Sequence, residues 1–428
     1  MADRAVVVGG GPGALRTAAG LRDSGRSVIL LQEGPHPGGF VDVDVPIERG
    51  IGRGPTGPSV FGDLVAVEGL DRAVMRNGKR VPLPMKPNHV FRLMNWKRHP
   101  AAASQLARAR GKRELHELIG GGQEVRSYRD WVAARYGAPV YEDLYAPYCR
   151  KRFGDPEELT CNVSRLVHAG ARSEAPVAPR EGPASAVKSA LAGLDVRVGA
   201  VLRSIAPGLV TTQDGSVEGD VYVDLPPARV CELLGAAAPE GLHATVGKLR
   251  HRHLVQVVVR GGRDLPFETH ILDEKLPFYR ITRPGRLPGC SALADDLIAH
   301  YSLDDADPLW RADDAEVVRQ TLDALGSLAT GSSSGRVVRI ANHHPVWVTT
   351  HATAMRTFVL ALDELGIAPI GRSGLFTPLE WEQEIGWLAA LTAAESSGEG
   401  VRSRMRRWME PPIGDEEGPA PLVRFIER

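Results

Sequence analysis

The sequence predicts an α/β fold that opens with a parallel βαβ unit. Three observations carry that prediction. Ala5-Val6-Val7-Val8 is an apolar run of strand length. It breaks into the turn Gly9-Gly10-Gly11-Pro12-Gly13-Ala14, and a helical stretch runs from Leu15 to Ser24. Gly25 closes that stretch, and Ser27-Val28-Ile29-Leu30-Leu31 reads as a second buried strand. Strand, glycine turn, helix and strand in this order form a dinucleotide-binding unit.

Each residue of the turn has a physical task. Gly9 permits the tight bend, and Gly11 lets backbone approach a pyrophosphate with no Cβ in the way. Pro12 and Gly13 open the helix, and small Ala14 lets helix and strand pack closely. The helix N-terminus then turns free N–H groups and a positive dipole end toward the phosphates. A ribose-binding carboxylate is expected about 20 residues on, at the end of the second strand. Gln32 falls there and Glu33 follows it. Either Gln32 bonds the ribose without charge assistance, or the register slips by one to Glu33.

The 428 residues suffice for two or three domains. Lys plus Arg and Asp plus Glu are both 52, so no basic excess points to nucleic acid. Cys149, Cys161, Cys231 and Cys290 show no CxxC and no paired histidine spacing, which argues against a structural zinc site or a disulfide framework. That usage fits a reducing cytosol, and the expectation is a cytoplasmic protein. The first strand starts too early to leave room for a signal peptide, and no apolar run has the length of a membrane span.

After the second strand, Gly38-Gly39 in the loop Pro35–Phe40 is expected to bring backbone close to a ligand, again a diphosphate. Residues 41–62 are punctuated by Gly and Pro and exclude a helix. Asn77-Gly78 between strand-like flanks is a hairpin signal. Helices are expected over 101–119, 127–136 and 140–152, the second opened by Ser127 with Asp130 as a capping box. Pro/Ala-rich residues 174–186 read as a linker, and a helix follows over 184–194. Strands are expected over 196–205, 209–212, 221–224, 254–260, 269–273 and 336–340. Helices are expected over 314–325, 351–365 and 379–394, and the stretch from Ser397 reads as irregular.

Four further stretches carry a family likeness. They are the helical run Ser127–Gly137 with Tyr145–Gly154 and Asp155–Leu159; the strand Leu202-Arg203-Ser204-Ile205; Leu276-Pro277-Phe278-Tyr279-Arg280; and Gly371-Arg372-Ser373-Gly374-Leu375-Phe376 with Glu380–Ile385. In this order the chain resembles the flavin-dependent amine oxidase superfamily, in its protoporphyrinogen-oxidase-like and UDP-galactopyranose-mutase-like branches. The resemblance implies an FAD-binding Rossmann-like domain interleaved with a mixed-sheet substrate domain and a helical insertion. It places the FAD-binding domain at 1–75, 176–235 and 336–396, the substrate domain at 76–175 and 236–335, and a tail at 397–428.

The resemblance implies FAD held by Gly9, Gly11, Pro12, Gly13, Ala14, Gln32, Glu33, Gly38, Gly39, Leu202, Gly371, Arg372, Leu379 and Trp381. It points to Arg280, His344 and Arg53 as the residues facing the chemistry. Arg280 follows Phe278 and Tyr279 and is suited to clamping a carboxylate or phosphate. A histidine at His343-His344 is suited to moving protons. Arg150-Lys151-Arg152 is either a solvated helix face or a patch for an anionic substrate. The sequence departs from the family pattern at Gln32, Phe40, Thr56-Gly57-Pro58 and Thr377-Pro378-Leu379.

The implied activity is an FAD-dependent oxidoreductase that removes a hydride from a C–N or C–C bond of a small metabolite. A flavin-dependent UDP-sugar mutase and a binding subunit that has lost catalysis are the alternatives. The expected partner is a small molecule, with no nucleic acid and no transmembrane segment; a homodimer is open.

Overall fold

The computed structural model describes residues 4–34, 52–53, 57–59, 62–67, 70–83, 85–97, 100, 103–105, 107–109, 127–161, 163, 176–261, 265–329, 334–348 and 351–376. A five-stranded parallel sheet has the order β19 (Ile367–Pro369), β13 (Asp220–Val223), β1 (Arg4–Val8), β2 (Ser27–Gln32), β9 (Asp195–Val198). Ala5, Val6, Val7 and Val8 are fully buried, as a central parallel strand covered on both faces requires. Helix α1 (Pro12–Asp23) follows β1 directly and buries Ala14, Leu15, Ala18 and Leu21 against the sheet. The predicted βαβ unit is therefore present, with β1 paired in parallel to β2 from Arg4↔Ser27 to Val8↔Leu31.

A seven-stranded sheet has the order β18 (Gly335–Val346), β14 (Arg250–Arg260), β17 (Asp296–Leu303), β16 (Arg280–Thr282), β15 (Glu268–Ile271), β6 (Arg72–Arg76), β7 (Lys79–Pro82). One face is apolar. Val255, Val257, Ile281, Leu297, Ala299 and Tyr301 pack with helix Asp314–Leu325, which Asp313 caps by accepting from Glu316 N at 2.8 Å. β6 and β7 form the predicted hairpin, with Asn77 and Gly78 at φ 49° and 71° as a two-residue turn needs.

Two smaller sheets complete the described strands. One orders β10 (Leu202–Ala206), β11 (Leu209–Thr212) and β12 (Gly215–Glu218); the other orders β3 (Gly52–Arg53), β8 (Pro176–Pro179), β5 (Gly62–Ala66) and β4 (Gly57–Ser59).

Several sequence expectations change. Residues 176–179 are not linker but strand, hydrogen-bonded between β3 and β5, and helix Pro183–Leu191 follows at once. The single strand expected over 196–205 is two strands in different sheets, broken at Gly199, which takes φ 68°. β18 is longer than predicted and pairs within the seven-stranded sheet, as does β6. The helical segment is Tyr128–Tyr136, Ala138–Val140, a π-helical turn Tyr141–Tyr145 and Ala146–Phe153. Ser127 accepts from Asp130 N at 3.0 Å, as its cap position predicted. The helix expected over 379–394 lies outside the described residues, as does most of that over 101–119.

Candidate functional site

Two constellations meet between the parallel sheet and the seven-stranded sheet. The first is the glycine turn. Gly9 sits at φ 125°, and a Cβ there would lie 2.6 Å from the Asp224 carbonyl oxygen. Gly10 has the Gln32 carboxamide against it: a Cβ would fall 2.3 Å from Gln32 Cδ. Gly11 is the N-cap of α1 and offers no side-chain cap to the first turn. The structure thus sets Gln32 over the turn at the end of β2. Glu33 points elsewhere, to Arg229 at 2.7 Å. Leu202 begins β10 just beyond Ala200, whose N–H bonds the Gln32 carbonyl at 2.9 Å.

The C-terminal loop reaches the same place. Gly371 takes φ 64°, and a Cβ there would lie 2.5 Å from the Asp224 carboxyl carbon. Asp224 Oδ2 accepts from Ala14 N and Oδ1 from Ser373 N, both at 3.2 Å. The two glycine loops from opposite ends of the chain, Gly9–Ala14 and Gly371–Gly374, therefore close on one buried carboxyl. Burial pushes that carboxyl up to about 6, against the pull of its backbone donors and Arg372. Gly38, Gly39, Leu379 and Trp381 lie outside the described residues.

The second constellation is the other face of the seven-stranded sheet. His270 pairs with Arg280, Arg280 with His300, and His300 with Gln256, in one row across four strands. All four are buried. Their neighbours two residues along the strands, Glu268, Thr282 and Ser302, are buried too. Glu268 is the central anion: Arg72 Nε donates to it at 2.5 Å and Arg280 Nη1 at 3.3 Å. Thr282 Oγ1 and His300 Nε2 are 2.8 Å apart. Hydrogen bonds among its members offset part of the cost of burying such a row.

The helical segment and β18 close over this row. Tyr148 Oη lies 2.8 Å from His270 Nδ1 and accepts from Arg152 Nη1 at 3.0 Å. Burial holds the Tyr148 hydroxyl up at about 12, with Arg152 pulling the other way, so it stays neutral. A bulge in β18 opposite Arg252–Leu254, with Asn342 at φ 53°, sets the exposed side chain of Asn342 beside buried His343. His343 Nδ1 lies 3.5 Å from Arg372 Nη2, and His344 Nε2 lies 3.4 Å from Tyr279 Oη. Burial first, then Arg372, His344, Arg280 and His300, pull His343 well below the usual histidine range.

Of the three residues expected to face the chemistry, the structure brings Arg280 and His344 to this region; only the backbone of Arg53 is described, paired with Pro176. The basic run divides. Arg150 is exposed, and Arg152 joins the polar face. Lys151 Nζ donates to the carbonyls of Ile271 and Asp273 at 2.7 and 2.8 Å and of Leu276 and Phe278 at 3.2 Å. Sequence reasoning missed Asp224, Glu268, His270, His300 and Tyr148. Among the described residues no group of His, Cys, Asp or Glu has the arrangement of a metal site. No described helix is long and apolar enough to cross a membrane.

No family model and no curated protein sequence matches the chain. Solved structures do. A reduced UDP-galactopyranose mutase superposes with TM-score 0.71 at 14% identity, over 94% of this chain and 96% of its own. A protoporphyrinogen oxidase-like protein from Exiguobacterium sp. 255-15 gives TM-score 0.65 at 16% identity, over 91% and 98%. The chain shares its fold with these structures. Cyclohexylamine oxidase from Brevibacterium oxydans IH-35A superposes with TM-score 0.55 at 14% identity over 90% and 98%. At Gly9, Gly10 and Gly371 a Cβ would strike Asp224 or the Gln32 carboxamide, so glycine is what lets the two loops close on these groups. The N-terminus of α1 turns its positive dipole end toward this place, with the Ala14 N–H already held by Asp224.

Proposed function

We propose that this chain is an FAD-dependent oxidoreductase acting on a small metabolite. The observation that supports the reading best is the buried polar row His270–Arg280–His300, linked to the loop Gly371–Gly374 through His343, which feels Arg280 and His300 on one side and Arg372 on the other. FAD, when bound, supplies acceptance of a hydride from a C–N or C–C bond. The protein's own part is binding, orientation and protons. Gly9–Ala14 and Gly371–Arg372 hold the dinucleotide backbone, with Gln32 at the ribose. Arg280, fixed by Glu268, presents a guanidinium suited to a carboxylate or phosphate on the substrate. His344, against the Tyr279 hydroxyl, is the group placed to take or give a proton. The parallel sheet with its returning C-terminal loop forms the FAD-binding domain, and the seven-stranded sheet the substrate domain.

The likeness to a UDP-galactopyranose mutase favours a second reading, a flavin-dependent sugar isomerase in which Arg280 and Arg152 clamp a diphosphate. One experiment separates the two. The FAD-loaded, dithionite-reduced protein is incubated anaerobically with UDP-galactopyranose and the products are resolved. The oxidoreductase reading predicts unchanged pyranose. Appearance of the furanose form, lost in Arg280→Ala, would establish the isomerase instead.

A further inference from the structure

Asp224 follows directly on β13, the strand beside β1, and its N–H bonds the Val8 carbonyl at 2.8 Å. Its carboxyl is buried and takes N–H bonds from Ala14 in the first turn of α1 and from Ser373 in the C-terminal loop. Both loops that the proposed function assigns to the dinucleotide press glycines against it, Gly9 on its carbonyl and Gly371 on its carboxyl. The chain thus places an anion of its own beside the N-terminus of a twelve-residue helix. That end of a helix favours one negative charge, and a carboxylate there opposes a second.

We propose that Asp224 sets the affinity of the dinucleotide site, and that the diphosphate enters together with a proton on the Asp224 carboxyl. This rests on the FAD reading above. The groups facing the carboxyl are few. α1 contributes the Ala14 N–H, and the C-terminal loop contributes the Ser373 and Gly374 N–H groups and the Arg372 guanidinium. From β18 comes His343, which reaches it only through Arg372 and stays neutral. The Gln32 carboxamide over Gly10 is uncharged. Burial pushes the carboxyl up, and its backbone donors and then Arg372 pull it down, leaving it at about 6. An incoming diphosphate raises it further. Above that point each dinucleotide bound takes up close to one proton, so affinity falls as pH rises, by up to about tenfold per pH unit.

The test is titration of the full chain with FAD, and separately with ADP as a diphosphate without flavin, across mildly acidic to mildly alkaline pH. Wild type, Asp224→Asn and Asp224→Ser are compared, with thermal unfolding as the check that each variant is folded. In the wild type Kd weakens by close to tenfold per pH unit over part of this range. In either folded variant the profile is flat, and FAD binds at least about tenfold tighter at the alkaline end. Parallel slopes in wild type and variants, or weaker binding by the variants, overturn the proposal while leaving the FAD reading standing. Absence of FAD binding by every protein at every pH overturns both.

Discussion

Tyr148 and His270 are joined at 2.8 Å, Oη to Nδ1, and through this contact helix Ala146–Phe153 is tied to the polar face of the seven-stranded sheet. The same hydroxyl takes the Arg152 guanidinium. Tyr148→Phe removes one atom and leaves two buried partners short of a bond. The expected cost is about 1–3 kcal/mol of stability. Urea unfolding should show a lower midpoint at unchanged slope. If the polar face carries substrate, kcat/KM falls about tenfold while FAD affinity is unmoved.

Arg76 and Asp143 form a second buried pair, bidentate at 2.6 and 2.9 Å, joining β6 to the π-helical turn. Asn95 N–H adds a bond to the same carboxylate at 2.7 Å. Breaking the pair strands a buried charge, so Arg76→Met should cost about 3–5 kcal/mol. The double variant Arg76→Met with Asp143→Leu should recover much of that loss. Equal unfolding midpoints for wild type and Arg76→Met would show that the pair is not holding these elements together.

His251 and His351 flank Phe376, with ring centroids 4.6 and 5.7 Å from it. Burial pulls each down to about 4. Both are neutral in the folded chain at a pH where the unfolded chain has protonated them. Stability therefore falls as pH drops from about 6.5 to about 4, by roughly 1.4 kcal/mol per pH unit for each histidine. Asp224 works in the opposite sense over the lower part of this window, since its carboxyl is raised. Thermal melts should show the acid slope reduced in a His251→Phe, His351→Phe double variant; an unchanged slope would assign acid sensitivity to other groups.

Gln32 lies over Gly10, where the second strand ends. A hydrogen bond to a charged acceptor contributes about 1.5–3 kcal/mol, against about 1 for a neutral one. Gln32→Glu should therefore tighten FAD by roughly tenfold, read by fluorescence titration. Weaker binding would place the ribose elsewhere. Glu33 is a poor substitute, because its carboxylate is already on Arg229.

The first βαβ unit was legible because its signal is local: an apolar strand, a glycine turn and a helix follow one another without a break. The Asn77-Gly78 hairpin and helix Asp314–Leu325 were legible for the same reason. The polar face was not. Glu268-Thr269-His270 is polar throughout and Arg280-Ile281-Thr282 alternates polar with apolar, patterns that read as solvated strand. Only the register, which sets His270 beside Arg280 and Arg280 beside His300, shows that they converge inside the protein. Asp224 carried no local signal at all, since its partners Ala14 and Ser373 are 210 and 149 residues away. Arg150-Lys151-Arg152 looked like one feature; helical rotation sends the three side chains to solvent, to four carbonyls and to Tyr148.

The central claim is that the loops Gly9–Ala14 and Gly371–Gly374 hold FAD. The most direct measurement is the visible absorption spectrum of the purified chain after incubation with excess FAD at mildly acidic pH and removal of free ligand. The account predicts flavin bands that travel with the protein, and their loss in Gly371→Val, whose side chain would press on Asp224. A wild-type protein that emerges colourless, and melts at the same temperature with and without FAD, would contradict it.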